Sequence, residues 1–280
     1  GGGLFIWLTD LKATREADAD LMAYVGRHTR FFLLLTMVFG GVTGVGIWFT
    51  IALVQPAATS ALIHLFVFGW AIEWVFFLGE IVALLVYHYY FDRLDVRSRQ
   101  VIAFLYALFA WLSLMIINGI LCFMLTPGDW LQTRDFWDGF LNPTYLPSTI
   151  FRTGSAVMIA GIFGYVTSVF LSSSEFRTRM VRYCTKWLLY PVPVLLLSGY
   201  WYYAAVPESV RDLAFDRNPD TFTYGRIFLV CSVLIFVIGL LMVRRSGIRV
   251  QRGLTAVIVL VGLGWTGGFE YVRELARRPY

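Results

Sequence analysis

The chain has 280 residues, of which 58% are apolar, 18% aromatic and only 15% charged. That balance excludes an ordinary soluble domain and describes a polytopic membrane protein. The net charge of +5 sits in the loops between apolar runs, which suits anionic lipid headgroups and excludes nucleic acid as the partner.

The first ten residues, GGGLFIWLTD, hold an apolar run too short to span and lack the charged start of a signal peptide. They read as the tail of an N-terminal helix whose beginning lies before residue 1. Seven later segments are long and apolar enough to span a bilayer: 31–54, 62–91, 100–125, 150–172, 185–205, 225–243 and 253–271. Backbone groups in hydrocarbon must be satisfied within their own segment, so each is predicted to be a helix. There is no internal repeat or low-complexity stretch, and residues 1–280 read as a single transmembrane helical domain.

Loops 9–30, 92–99, 173–186 and 244–252 carry 15 of the 23 Lys and Arg residues. The positive-inside rule places these four in the cytoplasm and loops 55–61, 126–149 and 206–224 outside. Trp130, Trp137 and Tyr145 in the outer loops suit the lipid interface or a platform for a partner subunit. Cys122, Cys184 and Cys231 form no CxxC or CxxCH pattern, so they indicate packing and neither a disulfide framework nor covalent haem attachment.

Residues 62–91 contain two acids, Glu73 and Glu80. An ionised carboxylate costs several kcal/mol in hydrocarbon, and seven steps of roughly 100° return Glu80 nearly over Glu73 on one helix face. Such a stacked pair can hold a metal or haem iron, relay protons, or pair with cations on a neighbouring helix; structural hydrogen bonding is the plainer alternative. The chain has three histidines. His64 lies toward the outer end of the acidic helix and nine residues from Glu73, on the opposite face. His28 and His88 share the inner side, where two imidazoles can bind a haem b or simply hydrogen-bond at the interface. Glycines cluster in FGGVTGVG (39–46) and GLGWTGGF (262–269), where helices or a flat cofactor can approach closely. Pro191 and Pro193 interrupt one apolar run. No phosphate-binding loop, dinucleotide fingerprint, HExxH or nucleophile elbow occurs, so hydrolase and nucleotide chemistry has no support.

Taken in order, these features resemble subunit I of the cytochrome bd quinol oxidases. GGVTG (40–44) is similar to that family's glycine-rich second helix, and FGWAIEWVFFLGE with FDRL (68–80, 91–94) to its third, which bears a haem-binding glutamate and a second acid. NGILCFMLTPGDWLQ (118–132), FLNPTYLPSTIFRT (140–153), YGRIF (224–228) and RRPY (277–280) resemble later motifs, so the likeness runs through nearly the whole chain. There are departures. Arg152 stands where the family has the histidine ligand of its low-spin haem, and Phe228 where it has the methionine. Gly267 replaces a glutamate, with Glu270 three residues on; Glu80 is offset by one residue; the quinol-binding loop shrinks to about 206–224. Arginine while charged and phenylalanine offer iron no lone pair, so that haem cannot be held in the family's way.

The resemblance implies an all-α bundle in a bacterial-type inner membrane, a subunit of a respiratory electron-transfer complex linked to quinol oxidation and proton handling, with fewer haems or none. The alternative is a cofactor-free scaffold for partner redox proteins. Glu73 and Glu80 are the expected proton-handling groups, and Glu73 is the expected haem iron ligand, with His64, His28 and His88 as further cofactor contacts. Arg226 and Arg277 match basic residues of the family and are expected to neutralise haem propionates or a quinone head group, or to pair with Asp216, Asp220 or Glu274. Haem b and a quinone are the implied cofactors, and other membrane and extramembrane redox subunits the implied partners.

Overall fold

The computed structural model describes residues 1–212, 219–244 and 247–277, without the side chains of residues 48, 209, 276 and 277. Every regular element among the described residues is a helix. The chain divides into two compact units, Gly1–Ile120 and Leu121–Tyr280.

The first unit opens with α1 (Gly2–Arg15) and α2 (Ala19–Leu34), joined by a turn in which Ala17 takes φ 49° and Asp18 caps α2 by accepting the Leu21 N–H at 2.9 Å. A π-helical stretch, Leu35–Gly40, carries α2 without a break into α3 (Gly41–Val54). Gln55 ends that run; Pro56 starts α4 (Pro56–Leu65), where a missing N–H costs nothing. Next come α5 (Val67–Tyr89) and α6 (Val96–Phe123), joined by a short turn. Asp95 caps α6 by accepting the N–H groups of Arg97 and Ser98, each at 3.1 Å. Hydrogen bonds from Ser98, with a smaller contribution from Arg97, hold the Asp95 carboxyl below its usual range.

The second unit takes the end of α6 and the short helices α7 (Trp130–Thr133) and α8 (Phe136–Phe140), then α9 (Tyr145–Ser168), α10 (Ser174–Leu189), α11 (Val192–Ala205), α12 (Glu208–Arg211), α13 (Pro219–Arg244) and α14 (Ile248–Arg277). α9 lies at its centre and packs against α10, α11 and α14. The C-terminal end of α9 meets two arginines. Arg177 donates to the Leu171 carbonyl at 3.1 Å and Arg252 to that of Val169 at 3.3 Å, which satisfies orphan acceptors and complements the helix dipole. The loop before α9 is tied by a buried knot in which Thr126 and Thr144 both donate to Asn142 Oδ1 at 3.2 Å.

Among the described residues six helices are long and apolar enough to cross a membrane: Ala19–Val54, Val67–Tyr89, Val96–Phe123, Tyr145–Ser168, Pro219–Arg244 and Ile248–Leu275. The seventh expected span, 185–205, is split at Tyr190–Pro191 into α10 and α11, because proline lacks an N–H and its ring clashes with the preceding turn. The acidic run 62–91 is also two helices, with a break at the buried Phe66. Three of the expected loops are largely helical. Residues 9–30 fall in α1 and α2, residues 55–61 in α4, and residues 173–186 in α10, whose charged outer face hides an apolar inner one. Loops 92–99 and 244–252 are likewise entered by the starts of α6 and α14.

Without a hydrophobic drive between helices in lipid, association rests on close packing at small residues. A Cβ added at Gly161 would stand 2.9 Å from the Leu188 nitrogen and 3.0 Å from the Cys184 carbonyl oxygen. Gly161→Val is therefore expected to destabilise the second unit by about 1–3 kcal/mol. At Gly41 nothing lies within 4 Å of such a Cβ, so Gly41→Ala is expected to stabilise by about 0.5–1 kcal/mol. Thermal unfolding of the two variants in detergent checks the opposite signs.

Candidate functional site

In the first unit α5 and α6 run antiparallel, and their heptad positions meet in layers. Glu73, Glu80 and Tyr87 recur every seven residues on α5; Ser113, Tyr106 and Arg99 recur every seven on α6 in reverse order. Steps of seven keep each set on one stripe. In the first layer the Ser113 hydroxyl donates to Glu73 Oε1 at 2.7 Å. In the second, Glu80 acts electrostatically on the buried Tyr106, whose hydroxyl hydrogen-bonds Thr36 of the π-helical stretch. Between these layers Phe76 stacks on Phe109 with centroids 6.2 Å apart.

The third layer closes around Asp10 of α1. Tyr87 donates to Asp10 Oδ2 at 2.6 Å. Arg99 grips the same carboxylate with two nitrogens, Nε to Oδ2 at 2.9 Å and Nη2 to Oδ1 at 3.1 Å, and Thr14 adds a fourth hydrogen bond to Oδ1 at 3.2 Å. Asp10 is 0% exposed, and the Phe91 ring lies 5.3 Å from the Arg99 guanidinium carbon. A polar seam thus follows the α5–α6 contact through three layers.

The structure brings Glu73 and Glu80 onto this one seam and distributes the remaining candidates elsewhere. His64 is exposed on α4, with Nδ1 held against the Ser60 carbonyl oxygen at 2.7 Å. His28 is buried in α2 among Phe5, Tyr24, Phe31 and Phe32. His88 packs edge-on against Tyr89 near the end of α5. In the second unit Arg226 is exposed and lies over the Phe222 ring at 3.9 Å. The side chain of Arg277, and the whole of Asp216, lie outside the described residues. Among the described residues no three His, Cys, Asp or Glu side chains gather at one point.

Arg152 and Phe228 are both committed to protein partners. Arg152 Nη2 bonds Glu270 Oε1 at 3.1 Å, and Arg273 Nη2 bonds the other oxygen of Glu270 at 2.6 Å. Phe228 packs against Trp265 and Phe269 at 5.2 and 6.1 Å, and Phe151 stacks on the same two rings at 6.2 and 4.9 Å. Trp265 is fixed by donating to Ser232 at 2.8 Å. These residues do not fit an axially ligated haem: one position holds an ion-paired cation, and the other is filled by a ring cluster.

Asp10, Tyr87, Arg99, Tyr106 and Ser113 were not singled out from the sequence. A signal was present in the seven-residue spacing of Arg99, Tyr106 and Ser113, which matches that of the two acids; nothing local pointed to Asp10. Removing one partner of a buried pair leaves an uncompensated charge, so Arg99→Met is expected to cost about 3–5 kcal/mol. Asp10→Asn/Arg99→Met together are expected to cost less than the single change, and a double-mutant cycle of unfolding free energies checks the coupling.

Comparison with known protein families and with curated proteins yields no match. Among solved structures the chain is similar to a bd oxidase from Geobacillus thermodenitrificans, with a TM-score of 0.84 and 14% identity, covering 100% of this chain and 82% of that one. The protein therefore has a bd-oxidase-like, all-helical fold.

Proposed function

We propose that the chain is a bd-like integral subunit of a respiratory electron-transfer complex, linked to quinol oxidation and proton handling, with a haem complement reduced or absent. The observation that carries this reading is the acid seam: Glu73 bonded to Ser113, with Glu80 one heptad along the same stripe, inside a bundle similar to a bd oxidase. Oxidation of a quinol releases protons with its electrons, and intramembrane carboxylates are the groups that take such protons up.

Ser113 engages Oε1 of Glu73, so Oε2 is the atom to carry a proton or meet a cofactor iron. Bound there, a haem b would supply a one-electron carrier. His64 suits a ligand role because its Nδ1 donates to a carbonyl, which leaves the Nε2 lone pair directed away from α4. His28 and His88 remain cofactor contacts in this reading. Arg226 and Arg277 would neutralise an anionic or quinone head group. The partners are other membrane and extramembrane redox subunits, in a bacterial-type inner membrane.

A cofactor-free scaffold is the second reading, favoured by the Arg152–Glu270–Arg273 cluster and the ring packing around Phe228. Absorption spectra and haem extraction of the purified full-length subunit separate the two. A Soret band that disappears in a folded Glu73→Gln variant is the expected result. In the assembled complex the same variant is expected to slow quinol-dependent electron transfer by about 100-fold. No haem, together with unchanged electron transfer in Glu73→Gln, establishes the scaffold instead.

A further inference from the structure

The three layers of the α5–α6 seam differ in what they can do with a proton. Ser113 holds one oxygen of Glu73, and Glu80 and the Tyr106 phenol share the next register position along the seam, so the second layer contains groups that accept and release protons. The Asp10 layer contains none in that condition. A carboxylate offers about four lone-pair sites, and four donors fill them: Arg99 Nε and Tyr87 Oη on Oδ2, Arg99 Nη2 and Thr14 Oγ1 on Oδ1. The guanidinium donates only and keeps its protons at every ordinary pH. The Tyr87 hydrogen already points at Asp10. Thr14 accepts from Arg99 Nη2 at 3.4 Å while donating to Asp10, but the guanidinium on its accepting side releases no proton, so the layer passes none.

We propose that Asp10, Arg99 and Tyr87 form a proton plug that closes the turn end of the seam, so that Glu80 exchanges protons only through the other end. This rests on the reading of Glu80 as a proton-handling group. Burial agrees with it. Asp10 and Tyr87 are 0% exposed and Arg99 9%, with Phe91 over the guanidinium, whereas Glu73 and Glu80 are half-buried. A subunit coupled to electron transfer gains from such a seal, because a seam open at both ends would let protons run back across the membrane.

The test reconstitutes the full chain in vesicles containing a trapped pH dye and imposes a potassium diffusion potential with valinomycin. Wild-type vesicles are expected to be as proton-tight as protein-free ones. Asp10→Ser/Arg99→Ser removes both charges together and leaves room for water, and it is expected to gain a proton flux. Arg99→His places a group that both accepts and releases protons in the same layer; it is expected to conduct as well, and it perturbs packing less. Adding Glu80→Gln to either conducting variant is expected to abolish the flux. The proposal is overturned by wild-type vesicles that conduct, by folded variants as tight as wild type, or by a leak that survives Glu80→Gln. The assay adds no quinol and reads proton flux rather than absorption or electron transfer, so a failure of the redox reading leaves this result legible on its own terms.

Discussion

A charge inside hydrocarbon is retained only where geometry supplies its partners, and in this chain the geometry is the register of one antiparallel helix pair. α5 and α6 meet with matching heptads, so that Glu73 faces Ser113, Glu80 faces Tyr106, and Tyr87 and Arg99 share Asp10. A shift of one residue would rotate each stripe by roughly 100° and expose all of these groups at once. The register in turn depends on the short turn between the helices, where Asp95 caps the start of α6 and fixes where its first residues point.

The two units use their charges differently. In the first, Glu73, Glu80 and Asp10 stand at intervals along one seam, and Asp10, nearest the α5–α6 turn, is ion-paired with Arg99. In the second, Arg177 and Arg252 serve the C-terminal end of α9, while Arg152 and Arg273 share Glu270. A guanidinium with several fixed donors suits that bridging better than an ammonium, which acts as a point charge. Phe151, Phe228, Trp265 and Phe269 then fill the space beside the cluster with rings that contact one another. The result is two guanidiniums on one carboxylate beside a packed ring cluster, in which neither Arg152 nor Phe228 offers iron a lone pair.

Much of this was legible in the sequence because period and length are local properties. The apolar runs announced the long helices, the seven-residue spacing announced that Glu73 and Glu80 share a face, and Pro191 announced an interruption. The interruption at Tyr190–Pro191 divides the run 185–205 into two helices, and α10 extends back from it to Ser174 through a segment read as a loop because its outer face is charged. The break at Phe66 left no proline or glycine at that position to find. The polar seam was only half visible. Arg99 read as an ordinary loop cation, Tyr106 and Ser113 as parts of an apolar run, and Asp10 as the end of a fragment. Ser113 acquires its meaning from a partner 40 residues away and Arg99 from one 89 residues away, and separations of that size depend on pairing between helices.

The layering also separates stability from chemistry along a single pair of helices. The layer nearest the turn is the most buried and the most fully hydrogen-bonded, so its polar groups have the least freedom to change partners. Glu73 and Glu80 are less buried and carry fewer fixed bonds, so a change in protonation there disturbs fewer contacts. A rigid anchor at one end permits titratable groups farther along to keep their register while they gain or lose a proton. The buried ion pair next to the turn fixes the alignment of the two helices, and the half-buried carboxylates farther along keep their register because of it.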